Sequence, residues 1–267
     1  MALTALVLGD NCIDRYLPPV ARDFVGGQAV NVAAGLAAAG ITTGYAGCVG
    51  TDDAGRMIVA ELSGRGVDVS AVEVRRGQTG VTVIANEDGD RRFVSESYGV
   101  SAPYVPSPQA RALLRDVRLA YAAHVDDLRP IADHLPPGGA LAFDASEGEL
   151  AAGALGLIDI LFVSCPGWPA EAAATKAEAL LGCGPAVVVV TLGAEGAIAA
   201  RRGEPPVACP ASGGAPVDTL GAGDALASGF LAGWISGASL GRALEIGSAA
   251  AAAACSHLGA LPAVVHA

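Results

Sequence analysis

"DTLGAGDALASGF", residues 218–230, sets three small residues, Gly221, Ala222 and Gly223, directly ahead of a carboxylate, Asp224, and then enters an apolar stretch. A helix beginning at Ala222 would leave its first amides without intrahelical partners, and its macrodipole adds about half a positive charge at that end. Small residues let a phosphate approach those amides. Asp224, in the first turn, could take a proton from a substrate hydroxyl. The same letters also describe a plain acidic N-cap region with glycines for its turn. What the rest of the chain brings to this turn decides between the two.

Working outward, residues 3–9 form an apolar run closed by Gly9 and Asp10, which predicts a buried first strand. "QAVNVAAGLAAA", 28–39, predicts a helix with Gly40 as its C′ residue. "TTGYAGCVG", 42–50, predicts a second strand and 54–65 a second helix. Such alternation implies βαβ units on a parallel sheet. Residues 72–98 differ, with β-branched alternation around "EDGD" that predicts antiparallel hairpins. "LAYAAH", "GALAFDAS", "IDILFVS" and "AVVVVTLG" then supply central strands, and from 217 the pattern turns helical. One α/β domain over 1–267 is expected, with a small β-sheet lid built from about 12–24 and 72–104. Ligands of such sheets sit beyond the carboxyl ends of the strands. Asp10 to Asp14, Gly47 to Asp53, Asp144, Ser164 and Thr191 to Gly196 are expected to gather there.

Apolar residues make up 52% of the 267 and charged ones 16%, which suits a large core and argues against disorder. The net charge is −11, with fifteen arginines and one lysine, Lys176. No basic cluster offers a nucleic-acid footprint, so no nucleic-acid partner is expected. An anionic cofactor would need local help from amides, an arginine or a metal. The six cysteines (12, 48, 165, 183, 209 and 255) form no C-x-x-C pair, which removes the zinc-ribbon and thioredoxin readings and suits a reduced, cytoplasmic enzyme. "MALTALVLGDNCID" has no basic n-region and reads as a strand, not a signal peptide. The alanine-rich run near 243–255 contains Glu245 and Ser248 and is too short for a membrane span.

Other phosphate and nucleophile motifs fail. A Walker A loop needs Gly-Lys-Ser/Thr, but Lys176 lies between Thr175 and Ala177. "GAGDAL" has Leu226 at the third glycine of a dinucleotide fingerprint, and no H-R-D or D-F-G occurs. "GASLG", 237–241, fits the hydrolase elbow, yet the preceding stretch looks helical and Ser239 reads as an N-cap. Gly26 and Gly27 permit close backbone approach ahead of Asn31, whose amide can both donate to and accept from a sugar hydroxyl. A solvated Asn31 after an ordinary turn is the plainer alternative. Asn11 and Asp14 suit polyol hydroxyls, or a cap. The glycines of "TLGAEGA", 191–197, invite a nucleotide, or simply turn the chain. Arg91 or Arg92 could reach over a bound anion, or be a solvated hairpin arginine. Histidines 124, 134, 257 and 266 share no metal spacing and are expected to be structural or on the surface.

Together, "GGQAVNVAAGLAAAG" and "DTLGAGDALASGFLAGW" resemble the two signature regions of the ribokinase-like, or PfkB, carbohydrate kinases, in the family's order and with "VVVVTLGAEGA" between them. The resemblance covers essentially the whole length. Within the family, "GDNCIDRY", "GGQAVNVA" and "SCPGW" are most similar to the fructoselysine 6-kinase branch. The resemblance implies a three-layer α/β/α ribokinase-like domain with a small β-sheet lid, and ATP-dependent phosphorylation of a sugar hydroxymethyl group. It implies Asp224 as catalytic base and Gly221, Ala222 and Gly223 as the anion hole. Asn11, Asp14, Gly26, Gly27 and Asn31 take the sugar-binding positions, and Arg91 matches a lid arginine. Thr191, Gly193 and Gly196 take nucleotide-binding positions, and Asp144 supports the phosphates or Mg²⁺. The family's N-x-x-E motif is altered, with Ser164 near its asparagine and Trp168 near its glutamate, which leaves the metal ligands open. Other acceptors (a ketohexose, ribose or a nucleoside) remain, as does a non-catalytic sensor on the same fold. Pairing two lids in a homodimer would cover their exposed edges.

Overall fold

The computed structural model describes residues 2–87, 90–145 and 153–262, with only the backbone of 86, 87, 90 and 91. Its strands are β1 (Ala5–Gly9), β2 (Cys12–Tyr16), β3 (Asp23–Gly26), β4 (Thr43–Ala46), β5 (Cys48–Gly50), β6 (Glu73–Arg75), β7 (Thr79–Glu87), β8 (Asp90–Gly99), β9 (Leu119–Ala123), β10 (Ala140–Asp144), β11 (Ile160–Ser164), β12 (Val187–Thr191), β13 (Ala197–Arg201) and β14 (Val207–Cys209). The helices are α1 (Gln28–Ala38), α2 (Asp53–Gly64), α3 (Pro108–Leu114), α4 (Arg129–Ala132), α5 (Ala170–Leu181), α6 (Ala222–Ile235) and α7 (Leu240–Ala254).

The all-valine run of β12 explains the layering. Successive strand residues face opposite sides. Val187 and Val189 enter one apolar cluster with α1, α6 and α7, while Val188 and Val190 enter another with α3, α4 and α5. β1 and β9 divide in the same way, Val7 and Tyr121 to the first cluster, Leu8 and Ala122 to the second. A sheet buried on both faces needs helices on both, which gives three layers. Phe230 of α6 is fully buried and meets Phe162 edge-on at 5.8 Å, so truncating it to alanine should cost about 3–5 kcal/mol.

The central sheet runs β14-β13-β12-β11-β10-β9-β1-β4, with every strand parallel except β13, which is antiparallel to both of its neighbours. A second sheet, β3-β2-β7-β8, carries the β7–β8 hairpin, with β2 parallel to β7. Two expectations change. Residues 42–50 form two strands rather than one, because the chain breaks at Gly47, where a Cβ would overlap the Tyr45 hydroxyl and the Gly9 carbonyl. Residues 73–75 pair with β5 in a separate two-stranded ribbon. Asp68 bridges to Gly44, and the Glu73 amide reaches the Gly47 carbonyl, so the chain meets β5 before the lid. Ser239 caps α7 by accepting from the Arg242 amide, and a helix precedes it, which removes the hydrolase elbow. Among the described residues, no helix is long and apolar enough to cross a membrane. None of the six cysteines is in a disulfide.

Candidate active site

β1 lies between β4 and β9, so the chain leaves it in opposite directions and a crevice opens at its carboxyl end. Asp10 follows β1 and His124 follows β9. Asp10 is buried and accepts from the amides of Gln28 and Ala29 at 2.9 and 3.0 Å. It thereby caps α1, whose own N-cap residue, Gly27, has no side chain to do so. Burial pushes the Asp10 carboxyl above its usual range, while the charge of His124 and the two amides pull the other way. His124 lies against Tyr98 of the lid, ring centroids 5.3 Å apart.

Helices α1 and α6 touch where a Cβ at Gly35 would overlap the Ser228 hydroxyl. One turn earlier on each helix stand Asn31 and Asp224, on the same faces. The Asn31 amide donates to Asp224 Oδ2 at 2.8 Å, and both residues are buried. α6 begins at Gly221 in the left-handed region (φ +76°) and has no side-chain cap. Nothing lies within 4 Å of the place a Cβ would take at Gly223.

A cleft of about 790 Å³ runs past these groups, between the central sheet and the lid. Asn11, Asp14, Gly27, Asn31, Asp144, Thr191, Gly193, Gly196, Gly221, Ala222, Gly223 and Asp224 all line it. The Asn11 amide donates to the Tyr45 hydroxyl at 2.9 Å and the Cys48 carbonyl at 2.8 Å, leaving its Oδ1 buried and unpartnered. Asn31 Oδ1 is also buried without a partner. At the other end Tyr121 donates to Asp144 at 3.5 Å, and Thr191 to the Val163 carbonyl at 3.5 Å.

Gly26 does not line the cleft. A Cβ there would overlap the Asp14 carboxylate, so its glycine lets β3 pass under that side chain. Arg91 pairs through its backbone with Asn86, and its side chain lies outside the described residues, as does all of His266. Gly47 to Asp53 also fail to reach the cleft. β5 turns that stretch toward α2, where Asp52 caps the helix and accepts from the Thr79 amide at the root of β7. Ser164 lines the cleft but Trp168 does not; the latter sits under Lys176 at 5.0 Å.

Sequence reasoning left three features unassigned. His124 lines the cleft, and the 211–216 loop with Ser248, Ala251 and Ala252 closes its far end. Asp218, the first residue of the opening quotation, is fully buried and accepts from the Tyr16 hydroxyl and from the amides of Leu220 (3.0 Å) and Gly259 (2.9 Å). Tyr16 belongs to lid strand β2, so this carboxylate ties the lid to the turn before α6. A second acid six residues before Asp224 was the available signal.

The chain matches the model of the pfkB family carbohydrate kinases over residues 19–137 and 139–266. It is 36% identical to a fructoselysine 6-kinase of Shigella flexneri over 270 residues, 96% of this chain and 99% of that one. It is 31% identical to an ATP-dependent ribose-1-phosphate kinase of Halopiger xanaduensis, over 90% of this chain and 83% of the relative. Arabidopsis thaliana ribokinase, solved with ribose and ATP, superposes with a TM-score of 0.86 over 97% of this chain and 95% of its own, at 24% identity.

Proposed function

This chain belongs to the pfkB family of carbohydrate kinases, and from that premise we propose that it moves the γ-phosphoryl group of ATP onto a primary hydroxyl of a sugar or sugar-amine conjugate. It is a phosphotransferase with an alcohol group as acceptor. Fructoselysine, phosphorylated at its 6-hydroxyl, is the favoured acceptor, supported by near full-length similarity to fructoselysine 6-kinases. The observation that carries the reading is the buried Asn31–Asp224 hydrogen bond beside the small-residue start of α6, where Gly221 supplies no side-chain cap.

Asn31 orients the Asp224 carboxylate. Asp224 takes the hydroxyl proton as the acceptor oxygen bonds to the γ-phosphorus, and the bond to the β,γ-bridging oxygen breaks to release ADP. Amides at 221–223 meet the charge on the migrating group; losing one such donor typically costs ~3 kcal/mol of transition-state stabilisation. Asn11, Asp14, Gly27 and Asn31 hold the sugar. Thr191, Gly193 and Gly196 face the nucleotide. Mg²⁺ characteristically keeps several waters and takes one or two carboxylates plus substrate phosphates. Asp144, a cleft-lining carboxylate on the carboxyl end of β10, fits that demand, and no cluster of three or more acidic, cysteine or histidine ligands occurs among the described residues. Asp144 would hold the ion, which when bound neutralises phosphate charge.

The lid edges favour a homodimer in which two lids pair; a monomer by light scattering at micromolar concentration would remove it. Six cysteines outside any disulfide suit a reducing compartment, and we place the enzyme in the cytoplasm. The deciding experiment is coupled ADP release with a panel of sugars and fructosamines. Acceptor-dependent ADP release, greatest with fructoselysine, is expected; ADP release indifferent to every acceptor would refute the reading.

A further inference from the structure

The register of the lid places three side chains in one row. Asp14 on β2 stands opposite Thr82 on β7, and Thr82 opposite Glu96 on β8. All three line the cleft. Neighbouring strands lie ~4.8 Å apart, so the backbones at Asp14 and Glu96 are about 10 Å apart. Asp14 and Thr82 are buried and Glu96 is exposed, so the row leads from the interior to the mouth. Among the described residues, the Glu96 side chain makes no hydrogen bond or ion pair.

The buried polar groups at this end point to the kind of ligand. Both side-chain N–H groups of Asn11 go to Tyr45 and Cys48 and one of Asn31 goes to Asp224, while both Oδ1 atoms are left unpartnered. The Thr82 hydroxyl donates to Cys12 Sγ at 3.6 Å. Two amide oxygens and the Glu96 carboxylate thus ask for hydrogen-bond donors, beside an Asp14 carboxylate that accepts from Cys12 Sγ at 3.3 Å. No lysine or arginine side chain lines the cleft among the described residues, while Asp10, Asp14 and Glu96 do, so the described lining at this end disfavours an anion on the acceptor. Phe93 and Tyr98, also on β8, line the same wall and offer aromatic faces to an alkyl chain or a cation.

We propose that Glu96 selects the acceptor, by binding a protonated amine that the sugar carries on the side remote from the phosphorylated hydroxymethyl. This rests on the carbohydrate-kinase reading above. Asp14, Asn11 and Asn31 hold the polyol, and Glu96, one sugar-length further out, reads the substituent.

The test is steady-state kinetics of the full chain with three acceptors: fructose, fructoselysine and fructose 1-phosphate. Glu96→Gln should lower kcat/KM for fructoselysine about fivefold, as expected for an exposed charge pair. The loss should fall in KM, with kcat kept. Fructose should be unaffected and fructose 1-phosphate improved. Raising salt from about 0.05 M to about 0.5 M should shrink the wild-type preference for fructoselysine over fructose. An equal loss for fructose and fructoselysine, or no loss for fructoselysine, overturns the role of Glu96 while leaving the kinase reading intact. Wild-type enzyme that phosphorylates none of the three overturns the acceptor reading and this proposal with it.

Discussion

Helices α1 and α6 begin on the same cleft, and their first turns are met in different ways. The amides of Gln28 and Ala29 at the start of α1 are met by the Asp10 carboxylate, an anion the chain supplies itself. At the start of α6 the N-cap residue Gly221 supplies no side chain, and the Ala222 amide turns back to the Thr219 carbonyl at 3.3 Å. The neighbouring glycines divide in the same way. At Gly27 a Cβ would stand 2.6 Å from the Asn11 Cα, with φ at +106°, so the absent side chain serves the fold. At Gly223 a Cβ would meet nothing within 4 Å, so packing does not explain the glycine, and a ligand approaching the amides does. Two glycine-rich turns that look alike as letters therefore have different physical reasons, one structural and one chemical.

The largest effect should come from Asp224→Asn, which keeps the hydrogen-bonding shape but loses the base. A drop in kcat of about 10²–10⁴ is expected, with nucleotide affinity within a fewfold of wild type; a variant keeping more than half its kcat would break the assignment. Gly27→Ala should cost about 3 kcal/mol through overlap and backbone strain. In a chain of this length that lowers Tm by about 6–12 °C in a thermal melt. Gly223→Ala is the counterpart. Its Tm should hold or rise, since alanine favours a helix by up to ~1 kcal/mol over glycine, while kcat/KM for ATP falls at least about tenfold. If both glycine variants lost stability alike, the distinction between the two turns would disappear. Tyr16→Phe should cost about 1–3 kcal/mol, because Asp218 is fully buried and loses one of its donors.

The smallest effect concerns pH. Burial raises the folded-state carboxyl of Asp10 above the ordinary 3.8. The unfolded chain therefore releases this proton first, and stability drains away as pH climbs from 3.8 to the raised value. Asp10→Asn lacks this dependence, so its Tm relative to wild type should rise between about pH 4 and about pH 7. A flat difference would mean that the cap's charge costs nothing.

How much of this was legible in the sequence follows from range. The strand–helix alternation, the β7–β8 hairpin and the small residues before Asp224 are local patterns, and local periodicity reads them well. Asn31 and Asp224 were visible as separate candidates. Their contact depends on two helices crossing at Gly35 and Ser228, which no spacing within either motif encodes. The Tyr16–Asp218 bond joins residues 202 apart in sequence. Glu96 was hidden for another reason: a register shift at Val83/Ile84 in the hairpin resets which residues of β8 share a face with Asp14. Gly47 to Asp53 were expected at the sheet edge because 42–50 looked like one strand, and the break at Gly47 sends them elsewhere.

The most direct test of the proposed chemistry is a crystal structure with ADP, aluminium fluoride and a bound acceptor, a mimic of phosphoryl transfer in flight. The expected result places the fluoride group within hydrogen-bond reach of the amides at 221–223 and the acceptor hydroxyl on the Asp224 carboxylate. A fluoride group bound elsewhere in the cleft, with Asp224 turned from the acceptor, would contradict it.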